Sequence, residues 1–154
     1  MAAERTLVRA IAALLALGLL WAPESNACRC ASLTLAEYFD RADVAMQVRI
    51  DAVETVGDAH SRTRRRARFT LVQDYRNAAG VDALRSPVYG AQCGLSLQPG
   101  GRYWIFGSLA PGSTEIDTDL CKGSRAVDQA FSDTVPDDVH AVLLGHRRGL
   151  DCPA

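Results

Sequence analysis

The sequence predicts an all-β domain, a small antiparallel barrel with a helix on either side. Three observations carry this. Two successive stretches, 44–56 and 65–75, alternate apolar and polar residues, the period of a half-buried strand. Turn signals recur at short intervals: Gly57-Asp58, Asn77 to Gly80, Pro99 to Gly101 and Ala110 to Gly112. The chain has 154 residues, 48% hydrophobic and 23% charged, which fits one globular domain and excludes a coiled coil or a disordered tail. Formal net charge is −1, so binding to a polyanion through bulk charge is not expected.

The first element is a leader. Arg5 and Arg9 precede an apolar run from Ala10 to Trp21, which is too short to span a bilayer. Ser25-Asn26-Ala27 then places small residues before Cys28. This pattern predicts a signal peptide over 1–27 with cleavage after Ala27, leaving one domain over 28–154. The alternatives are an uncleaved anchor or buried helix, and a lipoprotein signal in which Cys28 is acylated. A secreted, periplasmic or extracellular location follows from export, and membrane attachment only from lipidation at Cys28.

Next, Thr34-Leu-Ala-Glu37 has the form of a capping box and predicts a helix to about Arg41. Val44, Met46, Val48 and Ile50 lie on one face of the first strand, with Ala45, Gln47 and Arg49 on the other. The second strand, with Ala67, Phe69 and Leu71 on one face, pairs with it as a long hairpin. Pro87 to Tyr89 is a short edge piece. Tyr103 to Phe106 is a buried strand, and Glu115 to Leu120 is a last one. Ala126 to Gly145 reads as helical, with Pro136 near a start and Gly145 as a stop.

All five cysteines, Cys28, Cys30, Cys93, Cys121 and Cys152, follow the leader. An exported chain pairs its cysteines by default, and an odd number leaves one over. Cys28 and Cys30 are expected to tie the N-terminal segment to distant parts of the chain rather than to each other. No second Cys or His pair has zinc-ligand spacing. His60, His140 and His146 read as ordinary surface or core histidines.

An enzyme is not expected. The sequence shows no Ser/His/Asp arrangement, phosphate-binding Gly-rich loop or metal-ligand cluster. Asp137-Asp138 sits at a helix start, where the dipole favours carboxylates. No cofactor is expected either. Arg62, Arg64, Arg65, Arg66 and Arg68 put five arginines into seven residues. This run offers a binding site for an anionic glycan or envelope surface. Nucleic acid is disfavoured because no aromatic interleaves with the arginines to stack bases. In strand geometry Arg64, Arg66 and Arg68 share the face opposite Ala67 and Phe69, so that face is expected to be solvated.

Several motifs together resemble the netrin-type (NTR) module. They are Cys28-Arg-Cys30, Phe39-Asp-Arg-Ala-Asp-Val-Ala-Met46, Gln92-Cys-Gly94, Leu97 to Gly107 and Asp119-Leu-Cys-Lys-Gly123. Within that family the chain is most similar to the N-terminal domain of tissue inhibitors of metalloproteinases. The resemblance covers about 28–134. It implies a five-stranded OB-like barrel with flanking helices, stapled Cys28 to Cys93 and Cys30 to Cys121. A third half-cystine of the family falls where Asp40 stands, leaving Cys152 unpaired. The resemblance also implies inhibition of a zinc metalloprotease, in which the α-amino nitrogen and carbonyl oxygen of Cys28 take the open position on the catalytic zinc. The amine binds in its neutral form, accessible because an α-amino pKa is about 7.7 to 8.0. Arg29 would enter the protease's specificity pocket, where such inhibitors carry a small or hydroxyl residue. Cys30, Ala31 and Ser32 would complete the inhibitory edge.

Overall fold

A computed structural model describes residues 28–57, 63–88 and 93–150, with side chains to 147. The leader over 1–27, His60, Arg62 and Cys152 lie outside the described residues. Helix α1 (Leu35–Arg41) leads into strands β1 (Val44–Val56), β2 (Arg64–Arg76), β3 (Ala83–Pro87), β4 (Arg102–Leu109), β5 (Glu115–Asp117) and β6 (Arg125–Ala126), and helix α2 (Val139–Leu150) follows.

The sheet closes on itself. Its order is β1-β2-β3-β5-β4, with β4 pairing back onto β1 and β6 adding a short pair to β4. This is an OB-like five-stranded barrel. β1 makes closure possible because its 13 residues serve two neighbours. Met46 lies opposite both Asp74 of β2 and Ile105 of β4. Register shifts along β1–β2, near Ala45, Gln47 and Ile50, bend the pair as a barrel requires. Not all pairs are antiparallel, since β3 and β5 run parallel with Leu84 opposite Ile116.

Two apolar clusters share the strands between them. Val44, Met46, Val48, Ile50, Ala67, Leu84, Tyr103, Ile105 and Ile116 fill the barrel. Ala45, Trp104 and Phe106 point the other way and meet Leu35, Tyr38 and Phe39 of α1, Phe131, and Val139 and Leu143 of α2. The start of β1 is therefore buried on both faces, Gln47 included.

Four expectations are corrected. The third strand is Ala83–Pro87, an interior strand paired on both sides, where the sequence predicts an edge piece starting at Pro87; Tyr89 lies outside the described residues. The span 126–135 is not helical: Ala126 pairs with Tyr103 and Phe131 enters the second core, a 3₁₀ turn at Pro136–Asp138 precedes α2, and α2 runs past Gly145 to Leu150. The last barrel strand ends at Asp117, and Leu120–Lys122 is a 3₁₀ turn. On β2, Leu71 does not share the buried environment of Ala67 and remains 43% exposed.

Candidate functional site

The N-terminal segment before α1 is pinned at alternate residues. Cys28 is joined to Cys93 and Cys30 to Cys121, with Cα separations of 5.2 and 4.8 Å. The two pairings implied by the netrin-type resemblance are therefore the ones present. Between and after the pinned residues, Arg29, Ala31 and Ser32 are exposed. Further along, the Tyr38 hydroxyl donates to the Ala31 carbonyl at 3.2 Å and the Ser132 hydroxyl to the Leu33 carbonyl at 2.9 Å. The Leu35 N–H donates to Asp133 at 2.9 Å. Both halves of the capping box form: the Thr34 N–H donates to Glu37 at 2.8 Å and the Glu37 N–H to the Thr34 hydroxyl at 3.2 Å.

The receiving arms are fixed as firmly. Past Cys93, the Leu95 N–H donates to the buried Ser86 hydroxyl at 3.0 Å. Gly94 is required here, because a Cβ would lie 1.9 Å from the Pro87 carbonyl oxygen. Cys121 sits in the 3₁₀ turn capped by Asp119, which accepts from the Lys122 N–H at 2.9 Å. Thr118 and Ser124, both buried, close this loop against β4. Their hydroxyls lie 2.6 Å apart, and the Phe106 N–H donates to Ser124 at 2.7 Å. The Leu120 N–H donates to the Cys93 carbonyl at 3.0 Å, joining the two arms.

Behind the segment is a cavity of about 120 Å³, lined by Leu33, Tyr38, Phe106, Cys121 and Lys122 among others. Small-molecule sites usually enclose roughly 300–1,000 Å³. The exposed feature here is the ridge itself, not a pocket.

The arginine run is not a free basic patch. Arg64 pairs with Asp117 at 2.9 Å, and Arg66 with Glu115 at 2.6 Å and Glu54 at 3.1 Å. The hydrogen bonds that Arg66 donates to Glu115, then to Glu54, raise its pKa further. Arg68 is exposed and Arg65 half-buried. The face carrying Arg64, Arg66 and Arg68 points away from the barrel interior that holds Ala67, as the alternation predicts. Facing acids from β1 and β5 were not visible in the run itself.

His140 and His146 serve packing. The Tyr75 hydroxyl and His140 Nδ1 are 2.5 Å apart, and the His146 ring lies 5.9 Å from that of Phe39. Sequence reasoning missed Arg76, which donates to the Phe39 and Ala42 carbonyls at 2.6 and 3.0 Å and stacks 4.1 Å over the Phe39 ring. It thereby closes the C-terminal end of α1. A lone arginine at the end of a strand carries no sequence signal of that role.

Fold and staples define a disulfide-tied OB-like barrel with an exposed N-terminal ridge. No protein-family model and no curated protein sequence matches the chain.

Proposed function

We propose that this protein is an exported inhibitor of zinc metalloproteases that acts through its Cys28 terminus. The observation that carries the reading is the alternation in the N-terminal segment: Cys28 and Cys30 are each cross-linked to the barrel arms, while Arg29, Ala31 and Ser32 stay exposed. A segment held in this way loses little conformational entropy on docking. Removal of 1–27 creates an α-amino group on Cys28. In its neutral form that nitrogen, with the adjacent carbonyl oxygen, occupies the open position on a partner's zinc and displaces water. Arg29 selects the partner, because a guanidinium buried in a protease pocket needs an acid to meet it. Two cystines suit an oxidising compartment, secreted or periplasmic.

The test is an inhibition screen against diverse zinc proteases, using chain that begins at Cys28 as verified by intact mass. A version with one extra residue before Cys28 should keep the fold and lose inhibition. Equal inhibition by the extended chain would end the chelation reading. The arginine run is left a smaller part, since Arg64 and Arg66 already answer Asp117, Glu54 and Glu115.

A further inference from the structure

Spacing along the chain gives no hint of a metal site, yet the fold gathers four cysteine sulfurs from three separate segments. The Sγ atoms of Cys28, Cys30, Cys93 and Cys121 all lie within 4.8 Å of one another. We propose that these four residues, in their thiol form, make a four-thiolate site for Zn²⁺ that competes with the two cystines. This inference stands apart from the inhibitory reading, which needs the oxidised form.

The positions are compatible with a tetrahedral sulfur site once the two cystines are opened. With Zn–S bonds of about 2.3 Å, the sulfurs of such a site stand about 3.8 Å apart. Two of the unbonded separations already match: Cys28 to Cys30 is 3.6 Å and Cys28 to Cys121 is 3.9 Å. The sulfurs of the two bonded pairs need only move apart once reduced. Each arm is also held by bonds that involve no sulfur. The Leu120 N–H fixes the Cys93 backbone, Asp119 caps the turn that carries Cys121, and the Tyr38 hydroxyl holds the carbonyl just past Cys30. Backbone partners of this kind orient metal ligands and strengthen binding. Arg29 and Lys122, next to these cysteines in sequence, offset the site's net charge of two minus.

The chemistry balances. A newly made chain carries thiols, so loading needs no reductant: four thiols and one Zn²⁺ give the tetrathiolate and four protons. Oxidation by two equivalents of a small disulfide then forms both cystines and releases Zn²⁺ with four small thiolates. Four electrons pass from the protein sulfurs to the oxidant. The same sulfurs cannot do both, so metal and cystines exclude each other.

The experiment uses the full chain, reduced without air by a phosphine and titrated with Co²⁺ and then Zn²⁺. One equivalent of Co²⁺ should give the intense bands of tetrahedral thiolate coordination, and Zn²⁺ should displace it. The metal-bound form should show the near-UV signal of packed aromatics. With Zn²⁺ bound, iodoacetamide should label Cys152 and spare the other four cysteines. Cys152→Ser should leave the Co²⁺ spectrum unchanged, and Cys93→Ser should weaken Zn²⁺ binding at least about tenfold. A pale octahedral Co²⁺ spectrum, equal labelling of all five cysteines, or indifference to Cys93→Ser would each overturn the proposal. So would a metal-bound form that lacks the near-UV signal, because the ligands would then be gathered by an unfolded chain.

Discussion

Gly123 lies flat against the ring of Tyr38: a Cβ on Gly123 would sit 2.5 Å from the ring's Cγ. The contact joins α1 to the loop that carries Cys121, and so sets one wall of the ridge. Gly123 also has φ of 92°, in the left-handed region. Gly123→Ala should therefore destabilise on two grounds, backbone strain and displacement of Tyr38. We expect a loss of about 2–4 kcal/mol in urea unfolding, with slower closure of the Cys30–Cys121 bond on oxidative refolding. An unchanged midpoint would mean that the loop swings away freely.

The two cystines close long loops, with sequence separations of 65 and 91. On the chain-entropy account each removes about 4 kcal/mol of unfolded-state freedom. The double variant Cys30→Ser/Cys121→Ser should lower stability by about that amount and keep the barrel, whose strands do not depend on either bond. Denaturant midpoints with circular dichroism decide it. A loss below about 1 kcal/mol would show that the unfolded chain is already compact there.

Acid should weaken the capping box. Hydrogen bonds from the Thr34 backbone, then its side chain, hold the Glu37 carboxyl below the ordinary value. A carboxyl lowered by folding adds stability that is fully present above its unfolded pKa and is lost as pH falls through the folded one. Thr34→Ala removes the side-chain half of the cap, for about 1 kcal/mol at neutral pH. The gap between variant and parent should narrow without closing as the medium is acidified through the range of Glu37, because the Thr34 hydroxyl's bond to the carboxylate weakens while the Glu37 N–H bond to that hydroxyl does not depend on pH.

At high pH the sensitive group is Tyr75. Burial, opposed slightly by Arg102, pushes its phenol up to about 12 from the ordinary 10. Folding therefore favours the neutral form. Its contribution is intact below pH 10 and declines as pH rises towards 12, because the unfolded chain ionises first. Tyr75→Phe should flatten that alkaline decline while leaving His140 without its hydroxyl partner. Phenolate absorbance during a pH titration locates the transition.

Much of the fold was legible because local rules and tertiary demands agreed. Thr34 and Glu37 announced α1 through a cap that is complete within four residues. Val44, Met46, Val48 and Ile50 announced β1 through the period of the strand itself. The failures lie where a partner elsewhere decides. Ala83–Pro87 shows no alternation and becomes a strand because β2 and β5 supply hydrogen bonds on both sides. The span 126–138 looked like a continuation of α2, but Ala126 is drawn to Tyr103 and Asp133 is used to hold the Leu35 N–H. Pro136 was the real start signal and took precedence over the residues before it. At the site, Cys28 and Cys30 were visible as ties. Their meeting with each other's partners was not, since it depends on how the Cys93 and Cys121 loops converge.

Both ties reach forward along the chain, from its first described residues to Cys93 and Cys121. During vectorial emergence from a ribosome or translocon, the leading end must wait for nearly the whole barrel before it can be locked. A nascent chain stopped before Cys121 can never complete the second tie, so locking reports that synthesis has passed that point.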